Sequence, residues 1–233
     1  MISDRDLMQI HTSALYRHDD RNRLLAVNEP GDPEPPRLFL GRTGAGNVWR
    51  FRHDVAELVV DALETLLRAE PVAADLAQPT RCLETLQAVL ARDSPLAETW
   101  SGPAWRFPDD IPKFEHAIVP VTPENDDLVR AIFPILADDL PWRQPCLAIV
   151  NDGRLVSICY SSRNTDVAAE AGVDTIAEFR GRGYAPAIVA AWARAIRAEG
   201  RIPLYSTSWD NLASRFVARK LSLVLYGADL SIE

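Results

Sequence analysis

Residues 173–200, VDTIAEFRGRGYAPAIVAAWARAIRAEG, contain a strand, a basic glycine-rich loop and an amphipathic helix in succession. The loop is Arg180-Gly181-Arg182-Gly183-Tyr184-Ala185, and Gly200 is placed to close the helix. Amides at a helix N-terminus point outward without partners, and the helix dipole adds positive charge there. The two glycines lack Cβ atoms and the two arginines add charged donors. The pattern therefore predicts a binding site for phosphate groups.

Strands and helices alternate on both sides of this loop. The hydrophobic pattern predicts a strand at HAIVPV and two strands around the tight turn Asn151-Asp152-Gly153. After the helix it predicts a strand at RIPLYSTSW, a short helix at NLASRFVARKL and a final strand at LVLYGADLSI. The stretch ETWSGPAWRFPDDIPKF has three prolines and is interpreted as irregular, with a domain boundary near Asp110. These patterns predict a mixed α/β (α+β) fold with domains at 1–110 and 111–233.

Two motifs in the second half resemble those of the GNAT superfamily of N-acetyltransferases. Arg180, Gly183 and Ala185 match the family's Q/R-x-x-G-x-G/A loop, which follows a strand and opens a helix. Asn211, Ser214 and the pair Lys220-Leu221 occupy the places of the next family element. The segment from Trp209 to Ser214 looks like a subgroup that lacks the usual general-acid tyrosine, and here that position is Ala218. Ser222 stands where the family has a glycine, so it must adopt the turn at some cost or the turn differs.

The resemblance implies a central mixed, mostly antiparallel, splayed sheet flanked by helices. It implies acetyl-CoA as co-substrate, with no metal. The backbone of Val173, Thr175 and Ile176 would bind the pantetheine arm, and an amide near Ile176 would bind the oxyanion. The pyrophosphate would lie on Arg180, Gly181, Arg182, Gly183, Tyr184 and Ala185. Asn211 would cap the next helix or bind an amide of the pantetheine arm, and Ser214 is assigned to the cofactor site with it. The N-terminal α+β domain is interpreted either as a degenerate GNAT-like half or as a lid that shapes the acceptor pocket.

A general base is needed to draw a proton from an ammonium acceptor. Glu170 lies on the strand before the loop, where several GNAT enzymes keep a glutamate, and is the candidate. Asp174 and Glu178 are alternatives, and strand alternation places Glu170 and Asp174 on one face. Tyr184, Tyr205 and Tyr226 are the available substitutes for the missing acid.

The composition limits the classes of ligand and partner that are expected. The net charge of −8 argues against nucleic acid and suits a cationic acceptor, a small-molecule amine or a peptide. No apolar run is long enough to span a bilayer, and the first twenty residues lack a signal-like apolar region. Three scattered cysteines indicate a reducing compartment, so a cytoplasmic location without a membrane partner is expected. The four histidines, His11, His18, His53 and His116, lack the paired spacing of metal ligands.

The leading hypothesis is thus an acetyl-CoA-dependent N-acyltransferase that transfers an acetyl group to an amine by direct attack. Ala218 and the altered turn at Ser222 leave a non-catalytic acyl-CoA-binding module as the alternative. A third hypothesis is a GNAT-like fold that has lost coenzyme A. The intact loop at residues 180–185 argues against it, because such a loop has no evident packing purpose.

Overall fold

The computed structural model describes residues 2–233 as one large sheet, a small two-stranded sheet and seven α-helices. The strands are β1 Tyr16–His18, β2 Leu24–Val27, β3 Leu38–Thr43, β4 Gly46–Phe51, β5 Thr99–Arg106, β6 Ile118–Val121, β7 Cys146–Asn151, β8 Arg154–Asn164, β9 Ala168–Thr175, β10 Ile202–Ser206 and β11 Val224–Ile232. The helices are α1 Asp4–Leu15, α2 Glu57–Ala69, α3 Leu83–Asp93, α4 Asp127–Arg130, α5 Pro134–Asp138, α6 Tyr184–Ala198 and α7 Leu212–Lys220.

The large sheet has the strand order β4-β3-β11-β5-β10-β9-β8-β7-β6. Strands β9 and β10 run parallel, and every other neighbouring pair is antiparallel. The prediction of a mixed, mostly antiparallel sheet flanked by helices is confirmed. The parallel pair matters most for function, because both strands run toward the same edge and each leads into a helix there.

Each face of the sheet is covered by helices. On one face α6 packs Ile188, Val189 and Trp192, all fully buried, against Ala169 and Ala171 of β9. Helices α2 and α3 cover the β3–β11 part of this face. On the other face α1 lies over the middle of the sheet, and α4 and α5 lie over β7 and β8. Because side chains alternate along a strand, Glu170 of β9 points toward α1 rather than α6.

Strand β5 departs from the sequence prediction. The stretch interpreted as irregular contains a strand that lies between β10 and β11. Pro103 is tolerated there because pairing with β10 covers only Ala104, Trp105 and Arg106, so proline lies beyond that ladder. A strand of the first half is thereby inserted among strands of the second. The division at residues 110 and 111 stays a prediction.

Several local predictions are confirmed. Asp152 and Gly153 have φ values of +50° and +73° and form the two-residue turn between β7 and β8. Gly200, with φ of +77°, follows the C-cap of α6. Ser222 takes φ of +54° after α7, so it adopts the strained turn that a glycine would accept freely. Among the described residues, no helix has the length and apolar character needed to cross a membrane.

Candidate functional site

The loop before α6 has the geometry of an anion site. Gly181 and Gly183 take φ values of +76° and +84°, which L-residues rarely adopt. A Cβ built at either glycine would meet no heavy atom within 4 Å, so the space in front of the loop is open. Gly183 is the N-cap of α6, a helix of 15 residues. The loop therefore directs the positive end of a long helix dipole into open space.

The amides of this loop are available as donors. Within residues 2–233, the N–H groups of 181–185 donate no backbone hydrogen bond, and the helical ladder begins with Ala187 N to Gly183 O at 3.4 Å. Pro186 has no amide to satisfy. Successive free amides at a helix start are the donors that a pyrophosphate requires. The loop residues thus fit the phosphate part of coenzyme A.

The two arginines brace the loop. Arg180 Nε donates to the Thr175 carbonyl at 3.1 Å, and Arg182 Nη2 donates to the Glu178 carbonyl at 3.1 Å. The Arg182 guanidinium also lies over the Phe179 ring at 5.3 Å. Each contact uses one nitrogen, so both side chains keep further donors for an anion.

Strand β9 separates from β10 just before the loop. The two strands pair over only three residues, and Leu204 opposite Glu170 is the last pair. Beyond it, Val173 and Thr175 have no partner strand on the β10 side, so this edge can accept an extended arm as an added strand. The amide of Ile176 is different, because it donates to the Val156 carbonyl at 3.0 Å. That amide is occupied, so the expectation that it binds the oxyanion does not fit the structure.

Asn211 and Ser214 lie at the start of α7, which follows the end of β10. The Asn211 side chain accepts a hydrogen bond from the Ser214 amide at 3.0 Å and caps the helix. Ala218, at the position of the usual acid, is buried in the same helix. The Tyr205 hydroxyl, one of the substitutes, is buried and donates to the Ser214 carbonyl at 3.5 Å. The two helix starts therefore stand beside the diverging strands.

Glu170 lies in a cavity of about 280 Å³ on the α1 face of the sheet. Its carboxylate is 3.2 Å from Nε2 of His11, a residue of α1, and it accepts a hydrogen bond from the Ser206 hydroxyl. Burial alone would raise the pKa of Glu170, but the hydrogen bonds and the charge of His11 hold the pKa below its usual value. Glu170 is therefore an ionised carboxylate at the point where β9 and β10 part.

His11 joins Glu170 to a second buried carboxylate. Nδ1 of His11 is 2.7 Å from the Tyr226 hydroxyl and 3.8 Å from a carboxylate oxygen of Asp229. Burial would lower the pKa of His11, but the charges of Asp229 and Glu170 outweigh it and raise the pKa. Burial raises the pKa of Asp229 to about 6, and His11 offsets this only in part. The sequence offered no signal for this cluster, since a lone histidine in a helix has no motif.

The alternative bases are less suitably placed. Asp174 is exposed, and the ring of Tyr160 packs against Gly172, which lies between Asp174 and Glu170 on this face. A Cβ at Gly172 would come within 2.5 Å of that ring. Glu178 is exposed and pairs with Arg154 at 3.3 Å. Neither carboxylate lines the cavity that holds Glu170.

The structure gives little support for a cysteine nucleophile or a metal site. Burial raises the pKa of the Cys146 thiol to about 12 and that of Cys159 well above its usual value, so neither is a ready nucleophile. All three cysteines are free. Within the part of the chain that is described, no group of three or more His, Cys, Asp or Glu side chains is arranged to hold a metal.

The parallel strands β9 and β10 separate beside a loop with free amides. In agreement with this geometry, residues 146–227 match the GNAT acetyltransferase family model. These residues form a GNAT domain. The match runs from the start of β7 into the first part of β11, and includes the loop and both helix starts. The family is one of acetyltransferases and generally uses acetyl-CoA, which supports acyltransferase activity in general terms. No curated protein matches the chain.

Solved structures resemble the GNAT domain and its surroundings in fold. A GNAT-family acetyltransferase structure from Novosphingobium aromaticivorans superposes with a TM-score of 0.50 at 18% identity, over 59% of this chain and 65% of that chain. A GNAT-family acetyltransferase from Colwellia psychrerythraea gives 0.50 at 13%, over 80% and 76%. A GCN5-related N-acetyltransferase-like protein from Streptococcus suis gives 0.50 at 15%, over 87% and 86%. At these identities the likeness concerns the fold alone.

Proposed function

We propose that the protein is an acetyl-CoA-dependent N-acetyltransferase that acts on a small amine in the cavity beside Glu170. The proposal rests on two features that lie close to the point where β9 and β10 separate. The free amides of residues 181–185 lie past the end of β9, and the ionised Glu170 lies where the pairing ends. A donor bound on the loop would extend its thioester along the unpaired edge of β9 toward Glu170.

Acetyl-CoA would supply the acetyl group as a thioester that the acceptor nitrogen attacks directly. The protein's part is to hold the acceptor and to take its proton. Glu170 would first bind the ammonium as a charged partner and then accept the proton, directly or through a water. Its ionised state at neutral pH suits the binding step, and the positive charge of His11 keeps it ionised. Positioning of the two reactants would supply most of the remaining acceleration.

The first test is calorimetric titration of acetyl-CoA into the purified protein and into Gly183→Asp. The wild type should bind, and the aspartate should abolish binding by placing a negative charge at the pyrophosphate position. Gly200→Asp is the matched control, because Gly200 has φ of +77° and lies at the opposite end of α6. Loss of binding in both variants would indicate strain rather than a phosphate site. No binding by the wild type would overturn the proposal.

The second test is thiol release with a panel of amines. Glu170→Gln should lower kcat/KM by about 10²- to 10⁴-fold, as for loss of a general base, while acetyl-CoA still binds. Asp174→Asn removes the alternative carboxylate on the same face and should have little effect. Binding of acetyl-CoA with no turnover on any amine would favour the non-catalytic acyl-CoA-binding module. The buried Ala218, at the position of the usual acid, also favours that alternative.

A further inference from the structure

The cavity beside Glu170 is strongly acidic. Arg163 is its one basic lining residue, and that side chain is already paired with Glu29 at 2.6 Å. Glu34 is paired with Arg52 at 2.7 Å, and His11 lies beside both Glu170 and Asp229, whereas Glu98 and Glu233 form no ion pair within residues 2–233. The carboxylates that line the cavity are Glu34, Glu98, Glu170, Asp229 and Glu233. One ammonium group bound at Glu170 would leave part of this negative charge unbalanced.

Asp229 is the member of this set that lacks partners most clearly. It is 2% exposed, and neither carboxylate oxygen has a hydrogen-bond partner within residues 2–233. The nearest cationic atom, Nδ1 of His11, is 3.8 Å away and is engaged with the Tyr226 hydroxyl at 2.7 Å. A buried carboxylate without hydrogen bonds is costly, so such a group indicates a ligand that completes it. Asp229 is also one of the residues that line the cavity beside Glu170.

The positions of the two carboxylates define the ligand. Glu170 contacts Nε2 of His11 and Asp229 faces Nδ1 of the same ring, so one imidazole separates the two acids. Part of the cavity lining is apolar and consists of Leu15, Val27, Phe39 and Trp100. The cavity has a volume of about 280 Å³, which leaves room for several non-hydrogen atoms. This suits two charged nitrogens joined by a short hydrocarbon chain.

We propose that Asp229 binds a second cationic nitrogen of the acceptor, so that the substrate class is a small linear diamine or polyamine. This inference rests on the proposed function, because Glu170 must hold the nitrogen that is acetylated. Acetylation forms a C–N bond at that nitrogen and breaks the thioester C–S bond. The nitrogen gives up two protons, one to Glu170 and one to the thiolate sulfur, which leaves as the thiol of coenzyme A. The second nitrogen keeps its charge throughout and serves only to anchor the acceptor. A cation in contact with Asp229 would also lower the pKa that burial raises, and so favour the ionised carboxylate.

The test compares 1,4-diaminobutane with 4-amino-1-butanol, which has the same length and one charge fewer. With the full chain and saturating acetyl-CoA, we expect kcat/KM for the diamine to exceed that for the amino alcohol at least tenfold. Asp229→Asn should reduce this ratio to near one, and circular dichroism will verify that the variant is folded. Equal values for the two amines in the wild type would overturn the proposal, and so would an unaltered ratio in Asp229→Asn.

A binding experiment tests this inference independently of the proposed function. Calorimetric titration of the diamine into the protein without acetyl-CoA should show binding that the amino alcohol lacks, at least tenfold in Kd. If acetyl-CoA fails to bind, the transfer reaction is excluded, and this arm still decides whether a two-cation site exists. If acetyl-CoA binds but the diamine has no advantage, the second-cation site alone is excluded. Should Asp229→Asn not fold, titration of the diamine and the amino alcohol into the wild type decides the proposal, and equal Kd values overturn it.

Discussion

Nε2 of His11 lies 3.2 Å from the carboxylate of Glu170. The two residues are far apart in the sequence, and their contact joins helix α1 to strand β9. This contact places a residue of the first half beside the candidate base of the GNAT domain. It also sets the charge state of that base, because His11 lowers the pKa of Glu170.

Replacing His11 by glutamine should shift the acidic limb of the pH profile of kcat/KM to higher pH. Glutamine keeps a donor near Glu170 but removes the positive charge, so the pKa of Glu170 should rise. The base would then be protonated at a higher pH, and the acidic limb of kcat/KM should shift upward. The measurement is a pH profile of thiol release for the wild type and His11→Gln. Ser13→Ala, an exposed position on the same helix, is the control. Superimposable profiles would show that His11 does not tune the base.

Asp229 should make the native state less stable as the pH rises. Its pKa is raised from 3.8 to about 6 in the folded protein, so the unfolded chain releases this proton first. Stability is lost between these two values, by roughly 3 kcal/mol for a difference of about two pKa units. His11, Glu170 and Tyr226 face Asp229, and the first two also titrate, so the comparison must be between variants.

Urea unfolding of Asp229→Asn against the wild type will check this at several pH values. The variant should gain stability relative to the wild type as the pH rises from about 4 to above 6. An unpaired asparagine adds a cost of its own, but that cost does not vary with pH. A difference that stays constant over this range would contradict the prediction.

Ser222→Gly should stabilise the protein. Ser222 has φ of +54° at the end of α7, where its amide donates to Arg219 O and the next amide donates to Ala218 O. Glycine accepts this conformation without strain, so we expect a gain of about 0.5 to 1 kcal/mol in the free energy of unfolding. The control is Ser94→Gly, because Ser94 ends α3 with an extended φ of −155° and gains nothing from glycine. A loss of stability in Ser222→Gly would sink the argument.

Gly102→Ala should disrupt the insertion of β5 into the sheet. A Cβ at Gly102 would lie 1.7 Å from the Thr207 carbonyl oxygen, which is backbone and cannot turn aside. We expect a loss of at least about 2 kcal/mol in the free energy of unfolding, measured by urea denaturation. Gly44→Ala is the matched control, since its nearest contact would be at 4.0 Å. Equal stability of the two variants would show that β5 does not pack as described.

The sequence alone was sufficient for the local features of this protein. These features are the glycine conformations of the loop at residues 180–185, the turn at Asp152 and Gly153, the cap at Asn211 and the strained Ser222, and each depends on residues close together in the chain. Glycine conformations, helix caps and hydrophobic periodicity are short-range properties, so their signals can be recognised without the fold.

Only the tertiary structure decided the rest. Strand β5 contains Pro103 and follows no clear alternation, and its place between β10 and β11 depends on pairing with distant segments. Likewise His11, Glu170 and Asp229 come from α1, β9 and β11, and no spacing rule relates them. Their pKa values and the cavity they share arise from burial and from charges brought together by folding, which are absent while the chain is extended.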